Sequence, residues 1–145
     1  MAEKKETITI SEEDKKIIIM FWKRGFRNFT INSTFPGCRA HPKFSFRISE
    51  GMIFLEIDKN QHKNFTKAKE ILRMQKIASF AKEKSIIFIR FNPDSSKSNF
   101  YKIEEVLEYY LGAYKICGKD EFIVRYLFYD GVEDSGEIII KKVLF

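Results

Sequence analysis

The sequence predicts an α/β fold in which a mixed β-sheet is flanked by helices. Stretches with helical spacing of apolar residues alternate along the chain with strand-like stretches, as in helices packed on a sheet. Residues 85–91 are apolar nearly throughout, which is typical of a central strand covered on both faces. The chain has 145 residues and 44% of them are hydrophobic, so we expect one domain, 1–145, with a real core.

The first predicted element is a short helix. Ser11 and Asp14 have the spacing of a capping box, and a glycine ends the run of residues 15–24 that follows. Because residues 17–22 are all apolar, a strand is the alternative for this run. Residues 26–42 contain Asn, Ser, Thr, Gly and two prolines, which predicts an irregular, basic connection.

A β-hairpin is predicted next. Residues 43–49 and 52–58 both alternate polar and apolar side chains. Glu50 and Gly51 between them have the composition of a two-residue turn, with Gly51 supplying a positive φ. One face of this hairpin is entirely apolar and is the predicted core face: Phe44, Phe46, Ile48, Ile53, Leu55 and Ile57.

The opposite face of the hairpin is predicted to be polar and wet. The turn places Ser45 opposite Glu56 and Lys43 opposite Asp58, and directly opposed Cβ atoms are about 5 Å apart. Ser45, Glu56 and Asp58 would then form one polar cluster. A slip of one residue is disfavoured, since it would bury the carboxylates.

Two helices and a second hairpin complete the predicted fold. Residues 65–82 form the first of these helices, and residues 122–129 and 137–144 form the closing hairpin. Both helices have apolar stripes at helical spacing, through Ala68, Ile71, Leu72, Gln75 and Ala78 in one and through Ile103, Val106, Leu107, Tyr110, Leu111 and Tyr114 in the other.

Positive charge is concentrated in the first two thirds of the chain. The net charge is +6, and residues 15–49 carry eight Lys or Arg but no Asp or Glu. Residues 59–90 carry nine basic side chains against two acidic ones, whereas residues 91–145 carry seven basic and ten acidic ones. Such a basic region attracts phosphate backbones, although basic residues also form ordinary solvated faces.

Several classes of protein are excluded by composition. No stretch approaches 18 apolar residues, so we expect no membrane span. The start of the chain lacks the apolar core of a secretory signal, which predicts an intracellular protein. Cys38 and Cys117 are too few for a disulfide scaffold. Cys38 and His41 have the spacing of half a zinc site, but without a second pair a structural loop is the simpler interpretation.

Glu56-Ile-Asp58 carries the main candidate chemistry. Its two carboxylates project to the same side of a strand end, and Gln61 and His62 follow within a tight turn. Carboxylates bind hard cations such as Mg²⁺ or Mn²⁺, which stabilise developing charge and activate water in phosphodiester cleavage. His62 is the candidate proton donor or acceptor. A solvated strand end is the alternative interpretation of the same residues.

Three motifs occur together in the middle of the chain: Glu56-Ile-Asp-Lys-Asn-Gln-His62, Arg73-Met74 and Phe88-Ile-Arg-Phe-Asn-Pro-Asp94. In this combination they resemble a group of restriction-endonuclease-like proteins common in giant viruses. The group belongs to the PD-(D/E)XK nuclease superfamily and is related to very-short-patch repair and some homing endonucleases. Two further motifs resemble those at the group's first core strand and closing strand, Cys38-Arg-Ala-His41 and Tyr126-Leu-Phe-Tyr-Asp-Gly131.

The resemblance implies a fold, a site and a partner. The fold is a restriction-endonuclease-like core over residues 38–131, preceded by a basic N-terminal helix and arm, 1–37, and followed by a C-terminal strand, 132–145. The site is a Mg²⁺ or Mn²⁺ centre at Glu56 and Asp58, with the residues of the following turn assisting catalysis. The partner is nucleic acid, with DNA the first choice, in the host nucleus or cytoplasm if the protein is viral.

One departure from that group lies inside the predicted polar cluster. Lys43-Phe-Ser-Phe46 stands where the group has Arg-Pro-Asp-Phe, so Ser45 takes the place of a metal-binding Asp. A neutral hydroxyl binds Mg²⁺ more weakly than a carboxylate and leaves the bound water less acidic. Either Glu56, Asp58 and a nearby group such as Glu50 still hold a metal, or the nuclease fold has lost its activity.

Three functions follow from this sequence. The chain is a Mg²⁺-dependent DNA endonuclease, an inactive nuclease-like module that binds DNA or RNA, or a structural subunit of a homodimer or larger assembly. In the last case the aromatic residues between 21 and 29 are the candidate docking arm. In the first two cases six basic side chains are the predicted phosphate contacts: Lys43, Arg47, Lys63, Lys67, Arg73 and Arg90.

Overall fold

The computed structural model describes residues 10–31, 42–48, 51–58, 67–113, 122–128 and 137–139. These residues form three α-helices and one six-stranded sheet. The helices are α1 (Glu12–Arg24), α2 (Lys67–Ala81) and α3 (Tyr101–Glu108), the last of which continues as a π-helical turn at Tyr109–Ala113. The strands are β1 (Phe29–Ile31), β2 (Phe44–Ile48), β3 (Gly51–Ile57), β4 (Ser85–Phe91), β5 (Phe122–Leu127) and β6 (Glu137–Ile139).

The sheet is mixed, and its strands lie side by side in chain order from β1 to β6. β3, β4 and β5 are parallel, whereas the pairs β1–β2, β2–β3 and β5–β6 are antiparallel. Parallel neighbours need a crossover connection, and α2 and α3 lie in the two crossovers. The predicted α/β class, a mixed sheet flanked by helices, is confirmed.

Helices cover both faces of the sheet. On one face, Met74 of α2 belongs to a buried cluster with Phe54 and Phe88 of the strands. On the other face, Phe21 of α1 and Leu107 of α3 belong to a second, larger cluster. The sheet is therefore the middle of three layers. None of the described helices is both long and apolar enough to span a bilayer.

Residues 12–24 are helical, so the strand alternative for this run is wrong. The Ser11 hydroxyl accepts from the Asp14 amide at 3.1 Å, and the Asp14 carboxylate accepts from the Ser11 amide at 3.3 Å. This is the predicted capping box. Gly25 ends the helix in the left-handed conformation, with φ 84°.

Residues 29–31 form a strand inside a stretch predicted to be irregular. β1 is a three-residue edge strand that pairs with β2. Its Phe29 packs edge-on against Phe21, with ring centroids 5.2 Å apart. So short a strand is fixed by its neighbours rather than by its own pattern, which explains why composition missed it. Cys38 and His41 lie outside the described residues.

The predicted first hairpin is present, but its register differs by two residues. Phe44 lies opposite Leu55, and Ser45 lies opposite Phe54 instead of Glu56. Because side chains alternate with period two, a shift of two residues leaves every side chain on its predicted face. The predicted apolar face is therefore confirmed, and it packs in the core with α1 and α3.

Gly51 is not a turn residue. It is the first residue of β3 and pairs with Ile48, and among the described glycines a positive φ occurs only at Gly25. Glycine is needed here because β4 approaches closely: a Cβ on Gly51 would lie 2.6 Å from the Ser85 carbonyl oxygen. The predicted Glu50-Gly51 turn is wrong, because Gly51 lies within β3; residues 49 and 50 lie outside the described part of the chain.

The predicted inner stripe of α2 is only partly correct. Gln75 and Ala78 are buried as predicted, and Ile71 packs against the buried cluster on that face. Ala68 and Leu72, both expected inside, are exposed, and Leu72 retains 54% of its surface. Met74 and Ile77 are fully buried instead. Apolar residues lie on two adjacent faces of this helix, so their spacing alone does not determine which face is buried. Glu70 determines it, because it pairs with a buried arginine of β4 and so turns its own face to the sheet.

The C-terminal elements agree with their predictions. α3 buries Ile103, Val106 and Leu107 at the predicted helical spacing. β5 and β6 form the predicted antiparallel pair, with Ile123 opposite Ile139. The residues that connect these two strands lie outside the described part of the chain.

We predict that Gly51→Ala lowers the free energy of unfolding by about 1–3 kcal/mol, the usual cost of overpacking. The added methyl group would meet the backbone carbonyl of Ser85, which has little freedom to move. Gly112→Ala is the matched control, because a Cβ at Gly112 meets no atom within 4 Å. Urea denaturation measures both variants. Equal effects would show that the contact with Ser85 is not the constraint.

Candidate functional site

Polar residues gather where the three parallel strands end. Asp58 follows β3 and its amide donates to the Phe91 carbonyl at 2.8 Å. Asn92 follows β4 and its amide donates to the Leu127 carbonyl at 3.0 Å. These bonds continue the parallel ladder one residue beyond the strands, so Asp58 and Asn92 are held at the sheet edge. In open α/β sheets, ligands bind outside this carboxyl edge.

A row of three polar side chains crosses the parallel strands just inside that edge. Glu56 of β3 is the register partner of Arg90 of β4, which is the partner of Tyr126 of β5. All three lie on the face that α2 covers, next to the buried cluster that contains Phe54. Strand register therefore brings together residues that are far apart in the chain.

Arg90 is the centre of this row. Its Nε donates to Asp58 Oδ2 at 2.7 Å, and its Nη1 lies 2.5 Å from Glu70 Oε2. Arg90 is only 2% exposed and Asp58 is not exposed at all. The guanidinium group of one buried residue of β4 thus connects a carboxylate at the end of β3 to a carboxylate in the first turn of α2.

A second arginine holds the other carboxylate. Arg73 of α2 donates through Nη1 to Glu56 Oε1 at 2.9 Å. The Glu56 side chain is 8% exposed, whereas that of Arg73 is 29% exposed and reaches the surface. We call the five residues joined in this way the carboxylate–arginine cluster: Glu56, Asp58, Glu70, Arg73 and Arg90.

Burial changes the protonation of two groups in this region. The pKa of Glu56 is raised above its ordinary value of 4.5, chiefly because burial disfavours the charged carboxylate, while Arg73 acts in the opposite direction. Burial also raises the pKa of the Tyr126 hydroxyl, against the influence of Arg90. Tyr126 is therefore a neutral hydrogen-bonding group at neutral pH.

The predicted metal ligands do not fit a Mg²⁺ or Mn²⁺ site as they are arranged. Glu56 and Asp58 each hold a guanidinium group, and Asp58 is not exposed to solvent, whereas Mg²⁺ usually keeps several bound waters. Within the described ranges, no group of three or more His, Cys, Asp or Glu is placed to bind a metal. The prediction of a solvent-facing carboxylate pair is wrong, because α2 covers that face of the sheet.

The remaining predicted catalytic residues are only partly placed. Ser45 lies on β2, shares the α2 face with Glu56, and is 2% exposed, so it too is buried rather than wet. Gln61 and His62 lie outside the described residues. They follow Asp58 along the chain.

The predicted phosphate contacts differ in how far they reach the surface. Arg90 is in the interior, so its assignment as a phosphate contact is wrong. Lys43 pairs with Asp14 of α1 at 3.1 Å, and Arg47 pairs with Glu83 at 2.6 Å. Arg73 pairs with Glu56 within the cluster. Lys67 is the first residue of α2, and Lys63 lies outside the described residues.

Sequence reasoning missed Glu70. Two signals pointed to it: Glu70 is the one acidic residue of α2, and Arg90 interrupts a strand that is otherwise apolar. A charged residue is almost never fully buried without a partner, so an arginine in a central strand predicts a buried carboxylate nearby. The helix that connects β3 to β4, α2, is the nearest element in the chain that can supply this carboxylate.

Comparison with protein-family models, with curated proteins and with solved structures gave no match. The likeness to PD-(D/E)XK nucleases therefore depends on the motifs quoted above, and we carry it forward as a proposal.

We predict that Arg90→Met lowers the free energy of unfolding by about 3–5 kcal/mol, because it leaves Asp58 and Glu70 buried without their cation. Arg47→Met is the control: Arg47 also forms an ion pair, with Glu83, but its side chain is 69% exposed, and we expect a loss below about 1 kcal/mol. Chemical denaturation compares the two. A triple variant with Asp58→Asn and Glu70→Gln should recover part of the loss.

We predict that Glu56→Gln changes how stability depends on pH. Because the pKa of Glu56 is raised on folding, the folded state holds a proton that the unfolded state releases above its ordinary value of 4.5. Glu56 therefore favours folding at low pH, and this contribution is lost as pH rises through the raised pKa. The variant should gain stability relative to the parent across that interval, measured by urea denaturation at a series of pH values. A constant difference would contradict the shift.

Proposed function

We propose that this protein binds nucleic acid through the outer face of α2 on a nuclease-like fold, and that the carboxylate–arginine cluster holds the fold together instead of binding a metal. The observation that carries the proposal is the pairing of Asp58, which is fully buried, with Arg90 at 2.7 Å. A carboxylate neutralised in this way is not available to a divalent cation. The motif resemblance and the charge distribution support nucleic acid as the binding partner.

The outer face of α2 has the chemistry that a phosphate backbone needs. Lys69, Arg73 and Lys76 are spaced i, i+4 and i+7, so they lie along one side of the helix. Both lysines are exposed, and the acidic residue of α2, Glu70, points inward to Arg90. This stripe is about 10 Å long, which matches the rise of about three base pairs.

A second candidate function is a Mg²⁺-dependent DNA endonuclease. It is favoured by the position of Glu56 and Asp58 on one face at the carboxyl edge, directly before the segment that contains Gln61 and His62. Ser45, in place of the family's Asp, counts against it. For this function both arginine pairs would have to open, so that the two carboxylates became accessible to solvent.

We predict that the protein binds duplex DNA with an affinity that falls steeply as salt rises, because counterions are released from the phosphates. Lys69→Ala/Lys76→Ala should weaken binding and reduce the slope of log K against log salt by about 1–2. Lys16→Ala/Lys23→Ala is the charge-matched control, since it removes two exposed lysines from α1 in the opposite layer. Fluorescence anisotropy with a labelled duplex gives both quantities.

The same preparation distinguishes the competing functions. Plasmid DNA incubated with Mg²⁺ or Mn²⁺ should remain intact; nicking that disappears in Glu56→Ala would favour the endonuclease. A salt-independent affinity would refute binding led by phosphates. Absence of both binding and cleavage, together with a stable partner that copurifies, would favour the structural subunit.

A further inference from the structure

The layer opposite α2 contains exposed apolar side chains outside its buried core. Among the aromatic residues predicted to form a docking arm, Phe21, Phe26 and Phe29 pack in the core of the molecule itself. Trp22 is 55% exposed, and so is Ile19, one turn earlier on α1. These two side chains lie on the outer side of a helix whose inner side is already buried against the sheet.

A groove between α1 and α3 begins at this exposed face. It has a volume of about 430 Å³, and we call it the α1–α3 groove, after the residues that line it: Lys16, Ile19, Met20, Lys23, Phe100 and Tyr101. Tyr101 at the start of α3 is 72% exposed. Arg24 and Glu104 also line the groove, and they form an ion pair with each other. The groove therefore combines an aliphatic and aromatic floor with this ion pair and with two further cations, Lys16 and Lys23.

Contacts inside the protein fix the positions of the two helices that form the groove. Arg24 of α1 forms ion pairs with Glu104 and Glu108 of α3. Phe100 packs against Phe91 of β4, with ring centroids 5.1 Å apart. A groove whose two helices are tied together in this way is formed before a ligand arrives, which lowers the entropic cost of binding.

Two cations of the groove, Lys16 and Lys23, are not neutralised within the described part of the chain. Lys16 and Lys23 are exposed and form no ion pair with any described residue. They are seven residues apart on α1, with Ile19 between them, so two cations flank an apolar position over about 10 Å. A ligand that matches this pattern has an apolar anchor flanked by carboxylates.

We propose that the α1–α3 groove binds an acidic amphipathic segment of a partner protein, with an apolar side chain on Ile19 and Met20 and Asp or Glu side chains on Lys16 and Lys23. An apolar groove between two helices is the usual receptor for such a segment. Nucleic acid fits less well, because two lysines supply little counterion release. This site is independent of the function proposed for α2.

The test uses Trp22 as a fluorescent reporter, because it is the only tryptophan of the chain and adjoins the groove residue Lys23 in sequence. The probe is a helical peptide of about 16 residues with Leu at i, i+4 and i+7 and Glu at the flanking positions, and the control peptide has Lys in place of Glu. The Glu peptide should shift the emission to shorter wavelength in a saturable way, and the Lys peptide should not. Loss of saturation, or equal binding of both peptides, would overturn the proposal.

Two substitutions of equal exposure locate the binding. Ile19→Glu should weaken the Glu peptide about tenfold or more by removing the apolar contact and repelling its carboxylates. Leu72→Glu, at a side chain 54% exposed on α2, is the matched control and should leave binding unchanged. Equal loss in both variants would overturn the proposal. So would a shift of Trp22 emission caused only by single-stranded DNA or by vesicles containing phosphatidylserine.

Discussion

The structure depends on one buried cation. Arg90 lies in the central strand of the parallel set, where an unpaired guanidinium group would be very unfavourable, and it is balanced by Asp58 beyond the end of β3 and by Glu70 of α2. A pairing of this kind adds little to stability compared with apolar packing, but it admits only one placement of the partners. It therefore fixes which face of α2 turns to the sheet.

That constraint also explains the chemistry of the predicted site. Three carboxylates face two guanidinium groups in the carboxylate–arginine cluster, and burial already raises the pKa of Glu56. An Asp in place of Ser45 would add a fourth carboxylate to the same sheet face. The neutral hydroxyl and the arginine pairs are thus mutually consistent: each reduces the need for a divalent cation to balance negative charge.

What could be predicted from sequence was set by alternation and helical spacing. Two-residue periodicity assigned Phe44 and Leu55 to the core and Ser45 and Glu56 to the other face, and a register error of two left this unchanged. Whether that second face was exposed to solvent could not be predicted, because it depends on whether α2 packs over it. The predicted inner stripe of α2 included Leu72 and left out Glu70, which is buried because it pairs with Arg90.

The sheet separates two surfaces of different chemistry. Outside α2, lysines flank a long helix face whose acidic residue is turned inward, which suits a repeating polyanion. In the other layer, Lys16 and Lys23 flank aliphatic and aromatic side chains, which suits a ligand that brings both charge and apolar surface. Because a buried sheet lies between them, occupying one surface does not block the other. If both proposals hold, the protein connects a nucleic acid to an acidic protein, and such a role needs no cleavage at the carboxyl edge of the sheet.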